Sequence, residues 1–212
     1  MNLAISLLLG FFTAVIGILP PGLINMTAVK VNLKEGKKSA LWFVLGAVTV
    51  IFCQAYLAIL FAQFIDNRPE VVVLLREVGF GIFAILTIYF LWIAKAPKIK
   101  KGKIKKKSTT TRFFLGMLLS VLNFFPIPYY VFVSITLASY RLFSFDTTSI
   151  LVFVSGVVLG SFLVFYCYIT FFKKIEDKTA YLIMANMNTI IGCITGLISV
   201  ITLFNIIKYY LG

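Results

Sequence analysis

Two stretches of this chain set polar and helix-breaking residues inside apolar surroundings, where they are equipped to bind. Residues 17–27 read G-I-L-P-P-G-L-I-N-M-T, which brings Pro20, Pro21 and Gly22 beside Asn25 and Thr27. Residues 123–130 read N-F-F-P-I-P-Y-Y, which brings Asn123 beside Pro126, Pro128 and Tyr129. Each proline lacks an N–H and frees a carbonyl about four residues earlier. Such groups are costly in lipid unless satisfied, so a broken helix belongs in a protein-lined or watery cavity. Half-helix N-termini following the breaks offer N–H groups to a small anion such as a carboxylate. Asn25, Asn123 and Gln54 are suited to accept from an ammonium group. One such break reads as a plain kink; two in corresponding places, each next to an Asn, predict a substrate site.

Other chemistry is sparse. Arg76 and Glu77 are the exceptional charges within the apolar runs, and intramembrane ionisable residues are functional candidates by default. Two readings of the pair stand: a proton-coupling carboxylate with a substrate clamp, or a headgroup-level pair at the start of a span. The second is preferred. There is no His, and Cys53, Cys167 and Cys193 lie singly, without metal-ligand spacing. No catalytic constellation, metal site or cofactor is expected. Tyr129, Tyr130, Tyr166 and Tyr168 read equally as ligand contacts and as packing or interfacial belt residues.

The elements that position these residues follow from composition. Of 212 residues 61% are hydrophobic and only 13% charged, with a mean hydropathy of +1.03, so the bilayer is the natural solvent. About twenty apolar residues cross a bilayer as a helix. That rule predicts six spans, over 3–28, 40–65, 71–94, 113–138, 149–172 and 182–211, the last starting inside the membrane near Asn186. The first ten residues read as the start of span one and not as a cleavable signal, because a basic leading region is missing.

The formal charge of +13 is concentrated on one side of these spans. Loops one, three and five carry sixteen of the basic residues, and only Arg68, Arg76, Arg141 and Lys208 fall on the other side. This is the positive-inside pattern, and it places both termini outside the cytoplasm. Lys95–Arg112 forms a polybasic loop suited to anionic lipid. Nucleic acid is not an expected partner.

That loop separates two halves, 1–94 and 113–212, each opening on a proline-broken span. Each continues with a glycine-bearing span, L-G-A-V-T-V and then S-G-V-V-L-G, and ends on one with close glycines. Gly192 and Gly196 in the last are read as a helix-packing pair. Three spans per half force the second half to insert upside down. The expected fold is therefore an all-α integral membrane protein of six transmembrane helices in two inverted three-helix repeats. Transporters with this plan bind substrate where discontinuous helices meet.

The run P-G-L-I-N-M-T-A-V-K-V-N-L-K-E-G-K-K-S-A with the following L-W-F-V-L-G resembles the first block of the LysE/RhtB family of amino-acid exporters. Pro21, Gly22 and Asn25 match its first-span motif. Asn123 in G-M-L-L-S-V-L-N is similar to the Asn of its fourth span. Leu23 stands where the family usually has a second proline, and Phe124 and Phe125 replace its Pro-Lys. Ile51 occupies the region of span two where many members carry an Asp. The resemblance implies a bacterial inner-membrane exporter of amino acids or similar metabolites, driven by the proton gradient.

The expected partners are a small-molecule substrate, anionic lipid and, as an open alternative, further copies of the chain. Two other functions compete. A membrane thiol-redox carrier shares six spans and inverted halves but needs paired reactive cysteines, for which these three are poorly placed. A passive small-solute channel is separated from a carrier by concentrative transport. An intramembrane enzyme is disfavoured.

Overall fold

The computed structural model describes residues 3–20, 22–66, 69–93, 108–171 and 186–211. Among these all regular structure is helical, as expected of a chain that must satisfy its backbone hydrogen bonds within each segment. In order, the helices are α1 (Leu3–Ile18), α2 (Leu23–Glu35), α3 (Lys37–Asp66), α4 (Pro69–Ile88), α5 (Thr109–Val121), α6 (Pro126–Ser139), α7 (Thr147–Phe171) and α8 (Met187–Leu211). A π-helical stretch, Tyr89–Ile93, prolongs α4.

The two predicted breaks are present. α1 and α2 bend by 79° across residues 19–22, and α5 and α6 bend by 62° across 122–125. Pro126 occupies the first turn of α6, where its missing N–H is an orphan position anyway. Among the described residues α3 and α7 are long and apolar enough to cross a membrane, and the bent pairs raise the number to four if each is one span. The apolar stretches described in the third and sixth predicted spans, Glu77–Ile93 and Thr195–Leu211, are shorter.

Loop one of the sequence reading is not a loop. α2 continues past Ala28 to Glu35, and α3 begins at Lys37. Only Gly36 separates them, at φ 90°, with its N–H donating to the Asn32 carbonyl at 3.0 Å. A glycine takes this conformation without the Cβ penalty, so a sharp turn needs one residue. Helix α5 likewise starts before Phe113, because the Thr111 N–H donates to Ser108 Oγ at 3.2 Å as an N-cap. Arg112 therefore belongs to a helix, whereas residues 95–107 of the basic loop lie outside the described residues.

The chain divides into two units, and each draws on both sequence halves. One comprises Met1–Gln63 with Lys101–Glu176, the other Phe64–Lys100 with Asp177–Gly212. The first has a core of small and β-branched side chains with Phe43, Phe153, Phe165 and Tyr130 fully enclosed. Its helices approach through glycines. A Cβ on Gly10 would lie 2.0 Å from the Phe153 carbonyl oxygen, and one on Gly156 would lie 2.1 Å from that of Leu7. A Cβ on Gly46 would lie 2.0 Å from the Phe113 carbonyl oxygen, and one on Gly116 would lie 2.0 Å from that of Phe43. In both pairs each glycine meets the carbonyl three residues before the opposing glycine. Thus α1 packs on α7 as α5 packs on α3, each contact joining the broken span of one half to the second span of the other. Small residues permit this backbone approach, the main source of helix association where lipid removes the hydrophobic drive.

In the second unit, Gly192 and Gly196 face Leu91 and Thr87. Thr87 Oγ1 donates to Thr195 Oγ1 at 3.0 Å between them. The reading of this glycine pair as a packing feature agrees with these contacts.

Candidate functional site

The end of α1 leaves carbonyls without helical partners, as every helix end does, and Pro20 and Pro21 remove two further donors. The structure fills part of this deficit with side chains. Asn25, 4% exposed on α2, donates through Nδ2 to the Ile18 carbonyl at 2.7 Å and to the Pro20 carbonyl at 3.1 Å. Tyr168 reaches across from α7 and donates its hydroxyl to the Leu19 carbonyl at 2.6 Å. Gly22 caps α2 without a side-chain hydrogen bond, and the space a Cβ would occupy there is open. Pro21 lies outside the described residues.

The second break is braced in the same manner from the opposite half. Gln54 on α3 donates through Nε2 to the carbonyls of Ser120, at 3.1 Å, and Asn123, at 3.0 Å. Gln54 is buried, and its Oε1 has no hydrogen-bond partner among the described residues; neither has the enclosed Ser120 Oγ. The region thus holds two buried oxygens whose hydrogen-bonding capacity is unused. The Asn123 side chain is half-buried, and among the described residues only its backbone is engaged.

Tyr129 connects the two broken spans. From the first turn of α6 it donates its hydroxyl to the Thr13 carbonyl of α1 at 2.8 Å. A Cβ on Gly17 would come within 2.7 Å of its ring, and Phe125 stacks on it at 6.1 Å. On the other side of the breaks, Arg112 of α5 makes a bidentate ion pair with Glu35 of α2. Their side chains are 5% and 1% exposed. The broken spans therefore meet twice, once on each side of their bends.

The other predicted residues fall elsewhere. Thr27 donates to the Leu23 carbonyl of its own helix at 2.6 Å. Pro128 is exposed and Pro126 half-buried in the first turn of α6. Glu77 belongs to the other unit, where Tyr210 donates to its Oε1 at 2.7 Å near the end of α8; the Arg76 side chain lies outside the described residues. The three cysteines are free.

Sequence reasoning missed the Glu35–Arg112 pair and the role of Tyr168. Glu35 is the one acidic residue between Val29 and Ser39, and Arg112 the one arginine of the basic stretch. An isolated carboxylate in a basic segment is a signal of pairing that span counting discards.

The LysE type translocator family model matches residues 15–205 of the chain. No curated protein and no solved structure matches it. The family match runs from the end of α1 through both breaks and into α8, and the chain belongs to the LysE type translocator family, which moves amino acids or similar solutes across membranes.

Proposed function

We propose that the chain is a secondary exporter of amino acids or similar small metabolites, working by alternating access in the bacterial inner membrane. Six spans in two inverted three-helix halves, both termini periplasmic, form its architecture. Reciprocal glycine contacts, Gly10 with Gly156 and Gly46 with Gly116, support that symmetry. So does the bracing of each break by the second span of the other half.

Substrate binds between the breaks. The uncapped α2 N-terminus beside the open Gly22 position receives the carboxylate. Gln54 Oε1, with Ser120 Oγ and the free Asn123 amide near it, receives the ammonium. The observation that carries this reading is the unused buried acceptor of Gln54: a buried polar atom without a partner is costly, and a cationic substrate group would satisfy it. Pro20, Pro21, Pro126 and Pro128 keep the backbone open, Asn25 and Tyr129 fix its shape, and Thr27 is a peripheral member. Access alternates as the Glu35–Arg112 contact and the Tyr129–Thr13 contact release in turn.

The proton gradient drives export. The region of span two where many members of the family carry an Asp offers Ile51 instead, so a carboxylate elsewhere must take its place, and among the described residues Glu35 is a buried one.

Efflux of a panel of labelled amino acids from proteoliposomes, with and without a pH gradient, tests the reading. Accumulation against a gradient of the solute is expected. Failure of any solute to move under any gradient would refute it, and movement only down its own gradient would make the chain a channel.

A further inference from the structure

The outer face of the α1–α7 seam carries an open apolar groove of about 530 Å³. Leu7, Leu8 and Phe11 form one wall, and Leu159, Phe162 and Leu163 form the other, with Tyr166 beside them. Close backbone approach at Gly10, Gly156 and Gly160 creates the seam along which these longer side chains splay. At Tyr166 the character changes. Its hydroxyl accepts from Lys37 Nζ at 2.7 Å, and the same ammonium stands 4.4 Å from the ring centroid. Lys37 is exposed and makes no ion pair among the described residues. A lysine has three donors, and a neutral phenol supplies no countercharge.

An apolar furrow beside a cation without an anion matches one chemistry. We propose that the groove binds an anionic phospholipid, with an acyl chain along Leu7–Phe11 and Leu159–Leu163 and its phosphodiester on Lys37. The hydrocarbon region of a bilayer leaves no water to fill such a furrow, so a lipid chain is its natural occupant. The charge then decides which lipid stays, because basic residues at a membrane surface favour anionic headgroups. This site is distinct from residues 95–112, where any attraction to lipid would be diffuse.

The test places a reporter in the groove. Leu163→Trp is made in a background with Trp42 and Trp92 changed to Phe, and the protein is reconstituted in phosphatidylcholine vesicles. A minor fraction of phosphatidylglycerol or of phosphatidylcholine then carries brominated chains. Quenching should report a roughly fivefold preference for the brominated phosphatidylglycerol, the scale expected for one lysine near the surface. Lys37→Gln should reduce that ratio to about one, while Lys38→Gln on the same turn should leave it. A reporter at Leu159→Trp, compared for detergent elution and helicity with the wild type, covers the case in which Leu163→Trp folds poorly. Equal quenching by both lipids at the folded reporter overturns the proposal. So does a preference that survives Lys37→Gln, which would assign the attraction to the general basic surface.

Discussion

Tyr129 of α6 donates its hydroxyl to the Thr13 carbonyl of α1 at 2.8 Å while its ring occupies the space that a Cβ on Gly17 would need. The two proline-broken spans are thereby fitted to each other by one aromatic side chain, and the absence of a side chain at Gly17 is what lets it in. Overpacking a well-filled contact costs typically about 1–3 kcal/mol. Gly17→Val should therefore abolish solute efflux in proteoliposomes while leaving membrane insertion intact. Tyr129→Phe should keep the packing, lose one hydrogen bond of about 1 kcal/mol, and slow efflux without stopping it. Equal effects of the two substitutions would argue against a packing role for the ring.

The three amides near the breaks should separate by what they touch. Asn25 and Gln54 each satisfy two carbonyls, so Asn25→Ala and Gln54→Leu expose acceptors and should each cost about 1–3 kcal/mol of stability. The Asn123 amide carries no such duty, and Asn123→Ala should leave the detergent melting temperature nearly unchanged while lowering transport. A melting temperature that falls equally for all three would remove the distinction between Asn123, which binds without bracing, and the two amides that hold the breaks.

How far these roles were readable in the sequence depends on the range of the interaction. Pro20, Gly22 and Pro126 act on their own backbone, so letters alone place the bends. Asn25 lies five to seven residues from its acceptors and was visible as a polar residue at a break, although its bracing role was not. Gln54 serves carbonyls 66 and 69 residues away, and Tyr168 one 149 residues away. Nothing in a local window distinguishes them from other polar groups in a greasy helix. The reciprocal glycine contacts were partly legible, since Gly46 and Gly156 occupy matching spans, but which helix each meets is decided by tertiary packing.

The short connection into α7 carries a pH-dependent element. Asp146 accepts from the Ser149 N–H at 2.8 Å and from Ser144 Oγ at 2.9 Å. These hydrogen bonds hold its carboxyl below the usual value of 3.8. A depressed carboxylate adds stability that is present above its unfolded value and lost as pH falls through the folded one. Asp146→Ala should therefore lower the melting temperature by a constant amount at neutral and mildly acidic pH. The difference from wild type should shrink once the pH drops below the ordinary carboxylate value. A difference independent of pH would assign the effect to helix propensity instead of the charged cap.

Glu35 and Arg112 bind α2 to α5 through a bidentate pair almost sealed from solvent. Removing one partner of a buried pair leaves an uncompensated charge and costs about 3–5 kcal/mol. Glu35→Ala and Arg112→Ala should each lower the melting temperature, whereas the Glu35→Leu/Arg112→Leu double variant should recover much of the loss, because a well-packed apolar pair is often no less stable. Transport should behave differently. If release of this contact opens one side of the pathway and its re-formation closes it, the stable double variant should leak substrate down its own gradient and fail to accumulate it. Stability and coupling would then separate in one protein. Restored stability together with restored concentrative transport would make the pair a purely structural contact and require the coupling carboxylate to be sought elsewhere.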